Sequence, residues 1–122
     1  QIKGIFEACG KVVLLPNEGA VDKIISVTSS SPAYICIMID ALADGAVRAG
    51  FSRADAYTMA EQTVYGTAKY LLETGTLPCV LKDQVCSPAG TTIEAVASLE
   101  KSGFRGAIFD AMEACENKAL GK

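Results

Sequence analysis

The sequence predicts an all-helical domain with a short α/β remnant at its front, and three observations carry that prediction. From residue 17 onward apolar residues recur at helical spacing, in runs too long for strands. Serine, threonine and proline open these runs, and glycine closes several of them. Before residue 17, a helical run leads instead into Lys11-Val-Val-Leu-Leu15, which reads as a strand ended by Pro16. A lone apolar strand cannot satisfy its backbone or cover both faces. Residues 1–16 therefore read as the last helix–strand unit of an open α/β domain lying upstream, and residues 17–122 as a helical domain.

A chain of 122 residues suits one domain with its own core. Half of its residues are hydrophobic, 20% are charged, and the mean hydropathy is +0.29. A compact core accounts for that excess, and so does a surface covered by another chain. The net charge of −3 and the lack of any dense Lys/Arg run argue against nucleic acid as a partner. The five cysteines are odd in number, form no C-x-x-C pair and lie mostly in apolar stretches. They read as small core residues of a protein in the reducing cytoplasm. With no histidine present, His-based zinc sites and Ser-His-Asp or Cys-His nucleophile systems are excluded. No signal peptide is visible, and the apolar run Ala33 to Ile39 is too short to cross a membrane.

The elements follow in order. Ile2, Ile5, Phe6 and Cys9 make a helical face that Gly10 can close. Pro16-Asn-Glu-Gly19 is a turn, and a short helix runs from Ala20 to Val27 with Val21, Ile24 and Ile25 inward. Thr28-Ser-Ser-Ser-Pro32 is expected to break it as a polar linker. Residues 33–49 form the central helix, whose Tyr34 to Ile39 segment is apolar all round and so expected to be buried on every side. Asp40, Asp44 and Arg48 stand one turn apart and read as an ion-pair stripe along that helix. With no histidine and no third acidic neighbour beside them, no metal site is expected.

Ser52 caps the next helix, which continues to Thr74 with Tyr57, Ala60, Val64, Ala68, Leu71 and Leu72 inward. Gly66 in its middle costs about 1 kcal/mol relative to alanine, which close approach of another helix would explain. Pro78 opens a short helix to Val85, and a loop follows. Thr91-Thr-Ile-Glu94 fits a capping box with Thr91 as N-cap, heading a helix from Thr92 to Ser102. Phe104, Ile108, Ala111, Met112, Cys115 and Ala119 make the amphipathic stripe of the last helix, 104–119.

The loop between Cys86 and Ile93 is the candidate site. Pro88 disfavours helix at Ser87, Gly90 permits a sharp turn, and the next helix begins with open backbone N–H groups at its positive end. Such a cup, beside the hydroxyls of Ser87, Thr91 and Thr92, suits a carboxylate or a phosphate. The same residues are ordinary capping chemistry, so their spacing alone decides nothing.

Ser87-Pro-Ala-Gly-Thr-Thr-Ile93 follows Leu81-Lys-Asp-Gln-Val85 and precedes Leu99-Glu-Lys-Ser-Gly-Phe-Arg105. Upstream stand Ser31-Pro-Ala-Tyr34 and Asp40-Ala-Leu-Ala-Asp-Gly-Ala-Val47. In this order the motifs resemble the signature of the pyrroline-5-carboxylate reductases over residues 20–120. The resemblance implies a C-terminal dimerisation and substrate domain in which helices of two subunits interleave, dimers sometimes joining into rings. It implies reduction of the cyclic imine pyrroline-5-carboxylate to proline by NADPH or NADH, held mainly by a dinucleotide-binding domain upstream. No G-x-G-x-x-G occurs here, so cofactor-binding residues stay unknown and the fragment alone is expected to be inactive.

For site residues, the resemblance implies that the Thr92 hydroxyl stands near the ring nitrogen and that Ser87 lines the pocket. The amides of Gly90, Thr91 and Thr92 would hold the substrate carboxylate. Threonine does not titrate near pH 7, so Thr92 would orient or relay a proton rather than supply it. Ala89, Ser29, Leu77 and Cys79 depart from residues more usual in the family, and alanine tolerates a positive φ poorly. Lys82 and Asp83 take no catalytic role from the resemblance, and ion pairing with neighbouring helices is expected of them. Two other readings remain: an autonomous helical oligomerisation module without catalysis, and the helical domain of a related hydroxyacid-type dehydrogenase.

Overall fold

The computed structural model describes residues 2–122, and every regular element among them is helical, as predicted. The helices are α1 (Ile2–Glu7), α2 (Ala20–Ile24), α3 (Ser31–Arg48), α4 (Arg53–Thr74), α5 (Pro78–Val85), α6 (Thr91–Lys101) and α7 (Phe104–Ala119). The expected strand is not formed. Residues 11–15 adopt no regular structure and pair with nothing, because a strand needs a neighbour and none is present among the described residues.

The break expected at 28–32 is also absent. The chain passes through it in one wide turn, Ile25–Ser29, where the Ser30 amide donates to the Ile25 carbonyl at 2.9 Å. The hydroxyls of Thr28 and Ser31 donate back to the carbonyls of Ile24 and Val27, so the hydroxyl run supports the wide turn. Pro32 falls in the first turn of α3, where its missing N–H costs nothing. Helical structure therefore runs through Ala20–Arg48, and by length and hydropathy alone that stretch is sufficient to cross a membrane. It carries Asp40 and Asp44, both bonded to α4, and its flank on that helix is packed against protein.

Helices α3 and α4 are the hub. Gly50, with φ of +109°, reverses the chain between them, and Ser52 accepts the Asp55 amide at 3.1 Å to start α4. The side chains buried there are small: Ala43, Ala56 and Ala60. The acidic stripe does not pair along its own helix as expected. Arg53 Nη1 donates to Asp44 Oδ1 at 2.7 Å, the Tyr57 hydroxyl donates to Asp40 Oδ1 at 2.9 Å, and the guanidinium lies 5.5 Å from the Tyr57 ring centroid. Arg48 takes no part, because α4 offers closer partners across the helix pair. No group of three or more His, Cys, Asp or Glu among the described residues can hold a metal ion.

Beyond the hub the chain buries little. Ala60 is buried and Tyr57, Val64 and Leu71 half-buried, but Ala68 and Leu72 of the expected inward stripe of α4 are exposed. Ile35 and Ile37 of the all-round apolar segment are exposed too, as is Val21. A Cβ at Gly66 would meet nothing nearer than Gln62 Nε2 at 3.7 Å, so no helix of this chain approaches there. The accessible surface is 9393 Å², whereas a compact monomer of 12.7 kDa exposes about 6,200 Å². The single chain is splayed, and its helical faces are amphipathic without being covered.

Helix α7 packs on the wide turn. Cys115 Sγ donates to Ser30 Oγ at 3.2 Å, and the Tyr34 hydroxyl lies buried nearby with no hydrogen-bond partner. Burial first, then the neighbouring Cys115 thiol, raises the Tyr34 phenol above its ordinary value.

Candidate functional site

The loop between α5 and α6 is built from its sequence in three steps. Cys86 ends α5, its amide donating to Lys82 and Asp83 carbonyls. The Gly90 amide then donates to the Ser87 carbonyl at 3.0 Å across Pro88 and Ala89. With proline second and a positive φ of 57° at Ala89, this is the pattern of a type II turn. That turn ordinarily takes glycine third, so alanine there is strained, as its poor tolerance of positive φ implies. Finally, a Cβ at position 90 would collide with the Ser87 hydroxyl oxygen and lie 3.2 Å from the Ser87 carbonyl oxygen, so glycine lets the hydroxyl stand where it does as the turn enters α6.

This geometry changes the expected roles of three residues. Gly90, not Thr91, is the N-cap of α6, and no side chain caps the helix. The capping box is not made, because the tight turn starts the helix one residue early and leaves Glu94 a position too far along. The Gly90 amide is already taken by the Ser87 carbonyl and cannot also bind a ligand; Gly90 serves by its lack of a side chain. The Ser87 hydroxyl is folded over Gly90. The open donors are the amides of Thr91 and Thr92 on the first helical turn, which has no intrahelical acceptors for them.

Thr91 is exposed and Thr92 half-buried. Thr92 lines a cavity of about 280 Å³ between the C-terminal half of α4, helix α5 and the start of α6. The other walls come from Thr67, Leu71, Pro78, Leu81, Lys82, Val85 and Cys86. The Thr67 hydroxyl is spent on the Thr63 carbonyl at 2.7 Å. Lys82 does not bridge to a neighbouring helix as expected; its Nζ lies 2.9 Å from Asp83 Oδ1, on the adjacent residue. Hydrogen bonding to Asp83, then the carboxylate charge, raises its pKa, so the ammonium stays charged at neutral pH. Sequence reading had no way to bring Lys82 beside Thr92, since ten residues and a reversal separate them.

Comparison with known proteins identifies the family to which these helices belong. The family model for pyrroline-5-carboxylate reductase dimerisation matches residues 18–121. The chain belongs to the pyrroline-5-carboxylate reductase family. A pyrroline-5-carboxylate reductase of Synechocystis is 51% identical over 124 residues, covering 100% of this chain and 46% of its own. Among solved structures, that of a pyrroline-5-carboxylate reductase from Coxiella burnetii superposes with a TM-score of 0.92 at 34% identity, over 98% of this chain and 44% of that one. One from Plasmodium falciparum with NADP bound gives 0.84 at 30% identity, over 97% and 45%. The chain thus spans less than half the length of the relatives it matches. Nothing among residues 2–122 offers a glycine-rich phosphate loop between strand and helix, so the residues present do not fit a dinucleotide.

Proposed function

We propose that this chain is the dimerisation and substrate-binding part of an NAD(P)H-dependent pyrroline-5-carboxylate reductase, whose product is proline. The domain division at residue 16, with a dinucleotide-binding domain upstream, belongs to the same reading. The observation that carries it is the pair of open amides on Thr91 and Thr92 beside the unspent Thr92 hydroxyl. A substrate carboxylate is held by those amides and the positive end of α6. The Thr92 hydroxyl faces the ring nitrogen and orients the proton that the nitrogen holds as the imine is reduced. Ser87 shapes the turn and lines the approach. The cofactor supplies the hydride and is bound by residues outside this chain.

The surface uncovered on the single chain supports a homodimer. Its excess of about 3,000 Å² per chain, twice that for a pair, reaches the upper end of what large obligate interfaces bury. We read the apolar Ala20–Arg48 stretch as an interface element and not a membrane span, and place the protein in the cytoplasm, where five free cysteines persist. Rings of dimers fit the same surface.

The test is an assay of the full-length protein with pyrroline-5-carboxylate and NADPH or NADH. The wild type reduces the imine, and Thr92→Ala lowers kcat/KM by about tenfold to a hundredfold with the dimer intact. Unaltered kinetics would remove Thr92 from the site. A wild type without activity would favour a helical oligomerisation module.

A further inference from the structure

Resting on the reductase reading, we propose that Lys82 is a substrate-binding residue whose ammonium pairs with the carboxylate of the imine acid. Its side chain and that of Thr92 line one cavity, and Lys82 is the single charged residue on walls that are otherwise mostly apolar. Of the other polar groups there, the Thr67 hydroxyl is already spent on a backbone carbonyl. The ammonium and the Thr92 hydroxyl are therefore the side-chain groups with which a small anionic ring can bond.

The existing partner of Lys82 does not prevent this. Asp83 is 72% exposed at its side chain and Lys82 40%, so their ion pair sits at the solvent rim. Exposed pairs of this kind contribute little net stability, and a ligand carboxylate can replace or share the contact at small cost. Apolar walls on the ligand side make the new pair the stronger one, because charges attract more when water is excluded. The division of labour is then clear. The α6 amides fix the orientation of the carboxylate, and Lys82 draws it in.

The experiment uses the full-length reductase with Lys82→Met and Lys82→Arg. Methionine keeps the stem and removes the charge. KM for pyrroline-5-carboxylate rises about tenfold or more in Lys82→Met, as loss of one charge-assisted hydrogen bond requires. The kcat changes less than about twofold, and KM for the nicotinamide cofactor is unchanged. Lys82→Arg recovers part of the loss. Raising salt raises the wild-type KM and leaves that of Lys82→Met flat. A KM within about twofold of wild type overturns the assignment, as does a raised KM accompanied by dimer dissociation in sedimentation, which would make Lys82 an interface residue. If the wild type itself fails to reduce the imine, the reductase reading falls and not Lys82 alone.

Discussion

The α3–α4 pair and the α5–α6 segment are built on opposite plans. The first holds itself together: three buried alanines let the helices close up, and Asp40–Tyr57 and Asp44–Arg53 tie them across. The second has no buried side chain in either helix, yet it carries the hydrogen-bonded Ser87–Gly90 turn and the open amides of α6. Rigidity in the hub comes from packing, and in the site it comes from local backbone geometry. The candidate loop is thus shaped by its own residues, while the helices that present it keep uncovered faces.

The sharpest way to break that contrast is at Gly90. A side chain there displaces the Ser87 hydroxyl and presses on the Ser87 carbonyl oxygen, 3.2 Å from the added carbon, so a branched one disturbs the turn. Gly90→Val in the full-length protein is expected to lower kcat/KM by about a hundredfold, the scale on which misplacement by an ångström acts. Helicity by circular dichroism and dimer mass are expected to hold. If activity survives, the loop is not shaped locally, and the comparison fails.

The hub is tested by overpacking. Ala43 is 0% exposed, and Ala43→Leu forces α3 and α4 apart. A loss of about 1–3 kcal/mol in urea unfolding is expected, with the loop's chemistry untouched once the protein is folded. A variant as stable as wild type would mean that the helices do not meet closely in solution.

Ala89 offers a smaller and opposite effect. Its φ of 57° costs an alanine what glycine avoids, set against the entropy glycine loses on folding. Ala89→Gly is expected to stabilise the folded protein by about 0.5–1 kcal/mol, measured by the same unfolding. Destabilisation would show that the turn is not held in the left-handed conformation.

These positions also mark how far the sequence could be read. The Ser52 cap, the helix end at Thr74 and the Pro78 start were all legible, because each is decided by two or three neighbouring residues. The loop around Ser87 was legible as a candidate only through its family motif, since its residues taken locally are ordinary capping chemistry. The one-residue shift of the α6 cap was not, since it depends on Gly90 meeting Ser87 across the turn. The continuity of Ala20–Arg48 was hidden because a serine run marks a linker unless its hydroxyls find helical carbonyls. Burial was the least legible. An apolar face such as that of Ile35 and Ile37 states that something must cover it and not what covers it.

The smallest effect concerns the Tyr57 hydroxyl, and it asks whether the hub's polar ties operate in solution. The phenol is raised above its ordinary value of 10.0, first by donating to Asp40, then by the charge of that carboxylate, then by burial, with Arg53 acting against the rise. A group raised on folding contributes stability that is complete below its unfolded value and is lost as pH climbs through the folded one. The wild type should therefore exceed Tyr57→Phe in stability at neutral pH, and the gap should begin to close above about pH 10. Using the phenylalanine variant as reference cancels the lysines, which titrate in both proteins. A gap that is absent at neutral pH would mean the Asp40 bond is not made, leaving the alanine contacts and the Asp44–Arg53 pair to join α3 to α4.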